Sequence, residues 1–209
     1  MRIFLTGGHG GIGSTIKQIL TTYGIEVIAP SSKELDLSQD FELEDISVDG
    51  LIYCAGINNL KHHTQLSDVE FSRLLQVNTL SFIKLCSKLK FSQGANIIAI
   101  GSLYSEGTKE ERIQYTVSKH GMLGAVKTLA LEMSQENIKV NMISPGFVDT
   151  PLTRKNNSME RIHELNSKIP LGLVSSENIA ELCHWFVTKN AYITGQNIKV
   201  DGGYSLRGI

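Results

Sequence analysis

Near the start of the chain stands the sequence TGGHGGIG, at residues 6–13, with five glycines in eight positions. The apolar run before it, residues 3–5, predicts a strand. Residues 12–23 carry apolar side chains at helical spacing, with Gly24 placed to end the helix. The glycines fit two overlapping patterns, G-x-G-x-x-G and T-G-x-x-x-G-x-G. A turn of this kind between strand and helix lets a pyrophosphate approach backbone amides at the positive end of the helix dipole.

Strand-like and helical segments alternate along the rest of the chain. Further strands are predicted at residues 26–29, 51–54, 96–100, 139–143 and 197–200. Further helices are predicted from a capping box at Ser67 towards Lys90, at residues 114–134 and at residues 177–187. This order predicts a single α/β domain over residues 1–209, with a doubly wound, parallel, Rossmann-type sheet covered by helices on both faces. Ligands of such sheets bind at the carboxyl ends of the strands.

Three segments interrupt this alternation. Between Ala29 and Asp36 there is no room for a further helix and strand, so the second crossover is predicted to be shortened. Residues 150–158 are rich in Asn, Lys and Thr, and this composition predicts a loop at the start of a segment, residues 150–168, that would cover the substrate. Residues 110–112, Glu-Glu-Arg, are expected to form a solvated loop, with contact to a polar substrate as the alternative.

Composition and charge argue against several classes of function. The 209 residues are 41% hydrophobic with a net charge of −1, which disfavours nucleic acid or an anionic membrane as the main partner. No window approaches the ~18 apolar residues of a bilayer span, and the apolar start is too short for a signal peptide. Three scattered cysteines favour a reducing compartment, so we expect a cytoplasmic protein. The pair His62 and His63 lacks a third ligand at useful spacing, so no metal site is predicted.

The residues after the second predicted strand bear on which dinucleotide would bind. Ser31, Ser32 and Lys33 stand where a carboxylate commonly holds the adenosine ribose. Without a carboxylate at the strand end a 2′-phosphate is not repelled, and these three residues can donate hydrogen bonds to it. The sequence therefore favours NADP(H), with NAD(H) as the alternative because Glu34 stands next to them.

A tyrosine and a lysine provide a candidate acid/base. Tyr115 and Lys119 lie four positions apart in a predicted helix and so share a face. A nearby ammonium favours the phenolate, which predicts a pKa of Tyr115 lowered from about 10 towards working pH, as general acid/base catalysis requires. Ser102 follows the strand predicted at residues 96–100 and can hold a substrate oxygen at the sheet edge. Asn78, among apolar neighbours, needs hydrogen-bond partners if it faces inward.

Taken together, these motifs resemble those of the classical short-chain dehydrogenase/reductase family over nearly the whole chain. Residues 6–13 match the family's glycine loop, Tyr115 and Lys119 its Y-x-x-x-K motif, and Asn78 its catalytic Asn. Ser102 stands thirteen residues before Tyr115, as in the family. The second half resembles 3-oxoacyl-[acyl-carrier-protein] reductases in particular. The resemblance implies hydride transfer between a nicotinamide cofactor and a carbonyl or secondary alcohol, by enzymes that are commonly homodimers or homotetramers.

The resemblance also implies a role for each site residue. Tyr115 would exchange a proton with the substrate oxygen, which Ser102 would orient. Lys119 would hold the nicotinamide ribose and depress the pKa of Tyr115, and Asn78 would anchor a water in a proton relay through Lys119. Cofactor contacts are expected from Thr6, Gly7, Gly11, Ile12, Gly13, Asp36, Leu37, Cys54, Ala55, Gly56, Pro145, Gly146, Val148 and Thr150.

The chain departs from the family pattern at two positions, and its motifs leave two other functions as alternatives. Cys54 replaces the family's usual Asn, which predicts some loss of loop-stabilising hydrogen bonds, and Gly101 replaces a small polar residue before the catalytic Ser. A cofactor-binding sensor or scaffold without turnover is one alternative function. A sugar-nucleotide epimerase or dehydratase is another, although such enzymes usually carry an extra C-terminal substrate domain. An acyl thioester, a sugar derivative and a small polar alcohol all remain candidate substrates.

Overall fold

The computed structural model describes residues 1–207, apart from the side chains of residues 152, 155, 156 and 207. In this part of the chain six strands form one parallel sheet in the order β2-β1-β3-β4-β5-β6. The strands are β1 Arg2–Thr6, β2 Glu26–Ile28, β3 Ser47–Tyr53, β4 Lys90–Ile100, β5 Lys139–Pro145 and β6 Asn197–Val200. The parallel sheet with helices between its strands confirms the predicted fold class.

Seven α-helices connect these strands. They are α1 Gly11–Thr22, α2 Asp68–Leu75, α3 Ser81–Lys88, α4 Ile113–Glu132, α5 Pro151–Asn156, α6 Met159–Lys168 and α7 Ser176–Lys189, all within the described residues. A π-helical turn, Gln76–Leu80, joins α2 to α3. None of these helices is long and apolar enough to cross a lipid bilayer, in the portion of the chain that the structure describes.

Helices cover both faces of the sheet. On one face, Ile16 and Leu20 of α1 pack with Phe186 of α7 in one core cluster. On the other face, Phe82 of α3 and Met122 of α4 belong to a second cluster. The central strands are therefore buried on both sides, which explains why their sequences are apolar without alternation.

The second crossover is shortened, as predicted. Residues 29–46 contain no helix or strand, and β3 pairs directly with β1, so β2 is an edge strand. Leu35 and Leu37 are buried in this segment, and Phe41 packs against the same cluster. Apolar side chains from an irregular segment thus cover the area that a helix would otherwise cover.

Two predicted elements need correction. Residues 150–158 were expected to form a loop, yet they contain α5. The hydroxyl of Thr150 accepts the backbone N–H of Thr153 at 3.4 Å and Pro151 occupies the first helical position, two helix-start signals that outweigh the loop-like composition. The helix predicted from Ser67 towards Lys90 is divided: α2 ends at Leu75, the π-helical turn Gln76–Leu80 follows, and α3 ends at Lys88.

Candidate active site

A continuous groove runs along the carboxyl ends of the strands. The end predicted to hold adenosine, called the adenosine end, is lined by Ser32, Asp36 and Leu37. The middle is lined by the glycine turn and Lys119, and the end predicted to hold the substrate, called the substrate end, by Ser102 and Tyr115 among others. Neighbouring parts share lining residues: Gly7, His9, Gly10 and Gly56 on one side of the middle, and Ile12, Gly101, Tyr115 and Thr150 on the other. The structure therefore brings the two sequence motifs, the glycine turn and the Tyr–Lys pair, to one cavity system.

The backbone of the glycine turn approaches its neighbours so closely that side chains do not fit at two of its positions. Gly7 has φ +68°, and a Cβ there would lie 2.8 Å from the backbone N of Ala55. A Cβ at Gly13 would lie 2.1 Å from the carbonyl oxygen of Gly7, whereas one at Gly10 would clear the same oxygen by 3.4 Å. This difference favours the T-G-x-x-x-G-x-G pattern over G-x-G-x-x-G. The first amides of α1 lack intrahelical acceptors and face the middle of the groove, where an anion suits them.

Thr6 joins the ends of two central strands. Its buried hydroxyl accepts the backbone N–H groups of Cys54 and Ala55, both at 3.1 Å. These bonds use backbone donors, so replacing the family's Asn by Cys54 does not disturb them. Burial raises the pKa of the Cys54 thiol to about 12, so this side chain is neutral near pH 7.

The adenosine end is exposed, and its two carboxylates already have hydrogen-bond partners. The Ser31 N–H donates to the Glu34 carboxylate at 2.7 Å, and this bond helps to hold the pKa of Glu34 below its usual value. Asp36 accepts two hydrogen bonds from Ser38, which lower its pKa in the same way. Of the three residues predicted to hold a 2′-phosphate, Ser32 lines the groove. Ser31 and Lys33 are not among the residues that line it.

Arg73 is a groove residue that the sequence did not reveal. It lies on α2 and lines the adenosine end of the groove together with Asp36, whose pKa its charge also lowers. No motif marks it, because α2 reaches the groove only through its packing beside α4.

Three predicted catalytic side chains lie close together where the middle of the groove joins its substrate end: Ser102, Tyr115 and Lys119. Ser102 caps a short 3-10 turn, Leu103–Ser105, by accepting the N–H of Tyr104 at 3.2 Å, and its hydroxyl is close enough to Tyr115 to influence the pKa of that phenol. The Lys119 ammonium donates to the carbonyl of Ile100 at 2.8 Å and lies 5.7 Å from the centroid of the Tyr115 ring. The three predicted catalytic side chains are thus held at one place by the end of β4 and the first turns of α4.

The electrostatics of this group differ from the prediction. Burial raises the pKa of Tyr115, and the nearby Ser102 hydroxyl and the Arg112 charge oppose that rise only in part. Burial also lowers the pKa of Lys119 to about 8. The predicted depression of the Tyr115 pKa by Lys119 is therefore wrong for this structure, since the ammonium is itself desolvated and is engaged by Ile100. Near pH 7 the phenol is protonated and can donate a proton.

Asn78 occupies the π-helical turn and is fully buried. Its Oδ1 accepts the N–H of Ile57 at 2.9 Å, and its Nδ2 donates to the carbonyl of Ile57 at 3.0 Å and to the hydroxyl of Ser118 at 3.0 Å. The expectation that an inward Asn needs partners is confirmed. Asn78 ties the strand end after β3 to α4, beside Lys119. Helical periodicity gives no signal for the π turn, a feature frequent at functional sites.

The structure also explains why Gly101 departs from the family pattern. A Cβ at Gly101 would lie 2.6 Å from both the Met142 sulfur and the Ser144 hydroxyl of the adjacent strand β5. The small polar residue common in the family would therefore collide with β5. Four of the residues expected to contact the cofactor line the substrate end of the groove: Pro145, Gly146, Val148 and Thr150.

The prediction of a solvated loop at residues 110–112 does not hold for Arg112. Glu110 and Glu111 are exposed, but Arg112 is buried and lines the substrate end together with Tyr104 and Tyr115. Its spacing of three residues from Tyr115 is the one sequence signal that could have placed it on the same face. The expected solvated loop is thus wrong for this residue.

Comparisons with known proteins agree with this geometry. A family model described as enoyl-(acyl carrier protein) reductase matches residues 36–205. The chain is 33% identical over 233 residues to the 3-oxoacyl-[acyl-carrier-protein] reductase FabG of Buchnera aphidicola subsp. Schizaphis graminum, covering 95% of each chain. Among solved structures it is similar to the TT0495 protein of Thermus thermophilus (27% identity, TM-score 0.84, 98% of each chain). It is also similar to a 4-hydroxyisoleucine dehydrogenase mutant complexed with NADH and succinate (27%, TM-score 0.82, 99% of each chain).

Proposed function

Since the chain belongs to the short-chain dehydrogenase/reductase family, and is thus an oxidoreductase acting on CH–OH or C=O groups, we propose that it uses a nicotinamide cofactor and the Ser102–Tyr115–Lys119 group. The observation that carries the proposal is the meeting of these three side chains in a groove that starts at the glycine turn. A protonated, buried phenol next to a serine hydroxyl is suited to donate a proton to a carbonyl oxygen.

The residues of the groove fit a dinucleotide. Glycine in place of larger residues at positions 7 and 13 leaves the backbone open to a pyrophosphate, and the start of α1 supplies amide donors and a favourable dipole. Asp36 and Leu37 would contact the adenine side, and Val148 and Thr150 the nicotinamide side. When bound, the nicotinamide would supply or accept the hydride.

Each catalytic side chain then has one task. In reduction, Tyr115 donates its phenolic proton to the carbonyl oxygen, and Ser102 holds that oxygen by a hydrogen bond. Lys119 holds the nicotinamide ribose, and its charge compensates the phenolate that forms. Asn78 positions the backbone around Ile57 and, through Ser118, the first turns of α4. In oxidation the same groups act in reverse, with Tyr115 accepting the proton of the alcohol.

For the cofactor we propose NADP(H) in preference to NAD(H). Ser32 lines the adenosine end, and the exposed Lys33 next to it supplies a positive charge for a 2′-phosphate. Glu34 opposes this preference, because its carboxylate is fixed by Ser31 nearby. Comparing the thermal shifts caused by NADPH, NADH, NADP and NAD tests the proposal, and a larger shift with NADH would overturn it.

We also propose that the protein acts as a homo-oligomer. Large apolar side chains are exposed on α3 and α4, among them Ile83, Val117 and Leu131. Burying them against a second copy would stabilise a dimer through these helices. Light scattering coupled to size-exclusion chromatography measures the mass, and a monomer of 23.0 kDa at micromolar concentration would contradict the proposal.

The decisive experiment on the catalytic group compares the wild type with Tyr115→Phe. We expect the variant to lose about 10³-fold in kcat/KM, within the range for a general acid, while its thermal stabilisation by NADPH stays unchanged. The assay follows cofactor absorbance with a panel of ketones, oxo acids and acyl thioesters. A variant that keeps wild-type turnover would refute the assignment. Cofactor binding by the wild type without turnover of any panel member would favour the sensor or scaffold alternative.

A further inference from the structure

Arg112 is a buried cation without an acidic partner. The residue is only 7% exposed to solvent. No carboxylate of the described residues forms an ion pair with it, and its guanidinium instead lies over the ring of Tyr104, with Cζ 5.7 Å from the ring centroid. Buried arginines are almost always paired, because desolvating an unpaired charge is costly. A ligand is therefore the missing partner that the chemistry of this position calls for.

Arg112 faces the place where the substrate must bind. It lines the cleft of about 670 Å³ that also contains Ser102 and Tyr115. Tyr104 connects the two ends of this cleft, because its ring contacts the guanidinium on one side and packs against the Tyr115 ring, at a centroid distance of 6.1 Å, on the other. An anion on Arg112 is thus within a small molecule's length of the acid/base.

Asn58 gives a second, independent observation in the same cleft. It is 8% exposed, and its Oδ1 is buried without a hydrogen-bond partner. Buried polar atoms are nearly always paired, so this acceptor calls for a donor. Asn58 lines the same cleft as Arg112, and therefore its unpaired oxygen also points to a ligand bound in this cleft.

The backbone next to Arg112 is strained in a way that keeps its side chain inward. Glu111 has φ +61°, which is unfavourable for a residue other than glycine. Its carbonyl accepts the N–H of Lys61 at 3.2 Å, which fixes this turn against the chain that follows Asn58. The turn directs Glu111 to solvent and Arg112 into the cleft. Strain of this kind persists where the surrounding structure imposes it, frequently at functional sites.

We propose that Arg112 binds a carboxylate of the substrate, so that the enzyme acts on small oxo acids and the corresponding hydroxy acids. This rests on the proposed function. The carbonyl carbon would gain the hydride of NAD(P)H, its oxygen would gain the Tyr115 proton, and the cofactor would leave as NAD(P)⁺. A monoanion suits the site better than a phosphate, because Arg112 is the sole cation among the described residues that line the cleft, and Arg161 near Tyr104 is paired with Glu164.

Matched substrate pairs test the proposal directly. We would measure kcat/KM for 3-oxobutanoate, 4-oxopentanoate and 4-hydroxypentanoate and for their methyl esters, each with NADPH and NADH in reduction or NADP and NAD in oxidation. We expect the wild type to prefer the acids at least tenfold, mainly through KM, because the esters cannot pair with the Arg112 charge. Equal use of acids and esters would overturn the proposal while leaving the proposed function intact. No turnover of any pair, or of the wider panel, would instead refute the proposed function and this inference with it.

Substitutions of Arg112 provide a second test of the proposed carboxylate site. Arg112→Gln removes the charge, and we expect it to lower the acid-to-ester ratio at least tenfold, to near one, because the carboxylate then loses its charged partner. Arg112→Lys keeps the charge but not the planar fork, so it restores the ratio in part. Lys109→Gln is the matched control, since Lys109 is exposed in the same loop and lies outside the cleft. An unchanged ratio in a folded Arg112→Gln protein, or an equal fall in the control, would overturn the assignment.

Discussion

The charged and polar groups at the two ends of the groove differ in exposure and in hydrogen-bond partners. At the adenosine end the carboxylates are exposed, and Glu34 and Asp36 accept hydrogen bonds from Ser31 and Ser38. At the substrate end Arg112 and Asn58 are buried; among the described residues Arg112 has no carboxylate partner and one oxygen of Asn58 has no hydrogen-bond partner. Solvent satisfies the exposed carboxylates at little cost, whereas a ligand in the cleft would offer partners to the buried Arg112 charge and the Asn58 oxygen. The exposed end is therefore suited to tolerate changes, and the buried end to discriminate between substrates.

The largest expected effect comes from removing a satisfied group at the buried end. Asn78→Ala deletes three hydrogen bonds, and it leaves the partly buried N–H and C=O of Ile57 without these partners while Ser118 keeps its bond to the carbonyl of Tyr115. We expect a loss of about 2–4 kcal/mol in the free energy of unfolding, measured by urea denaturation, and loss of turnover. Ser38→Ala, which removes a bond at the exposed end, is the control and should cost less than about 0.5 kcal/mol. Equal costs at both ends would contradict the comparison.

Substitutions at two glycines in the middle of the groove are expected to have the next largest effect. Gly13→Ala places a methyl group against the Gly7 carbonyl, so the turn must shift. We expect a loss of about 1–3 kcal/mol of stability and of the thermal shift caused by NADPH. Gly10→Ala, with a contact of 3.4 Å and φ −87°, should keep both within error. A Gly10→Ala protein that loses as much stability and cofactor response as Gly13→Ala would support the G-x-G-x-x-G pattern as well.

The pH dependence of reduction reports on Lys119. Its pKa of about 8 means that it carries a proton below that pH and loses it above, whereas Tyr115, with a raised pKa, remains protonated throughout. We expect kcat/KM for reduction to fall about tenfold per pH unit above pH 8, as for loss of one essential proton. Lys119→Met should be slow and lack this alkaline limb between pH 6 and 10. A wild-type profile that stays flat to pH 10 would disprove the role of the ammonium.

The smallest effect is expected at the exposed end. Glu34→Gln removes a carboxylate near the predicted 2′-phosphate site but keeps an acceptor for Ser31. We expect the ratio of the dissociation constants for NADH and NADPH to shift about 2- to 5-fold towards NADPH, as for an exposed charge contact. Isothermal titration of both cofactors measures the ratio, with Glu44→Gln in the same irregular segment as the control. A shift towards NADH would mean that Glu34 does not repel the phosphate.

Much of the buried end was predictable from local sequence rules. Tyr115 and Lys119 are four residues apart, and a helix places such positions on one face whatever surrounds it. The position of Ser102 followed from the strand before it, because the carboxyl ends of parallel strands meet at one sheet edge. The error over residues 150–158 came from weighing composition above the Thr150–Pro151 helix start.

The sequence by itself determined the order of strands and helices, the glycine turn and the spacing of the Tyr–Lys pair, because each depends on hydrogen bonds and periodicities between residues close in the chain. Only the tertiary structure decided the direction of the pKa shifts of Tyr115 and Lys119, the partners of Asn78 and the burial of Arg112. These properties depend on how much water is excluded and which groups from distant segments meet. Desolvation and long-range contacts exist only once the sheet and its helices have packed together.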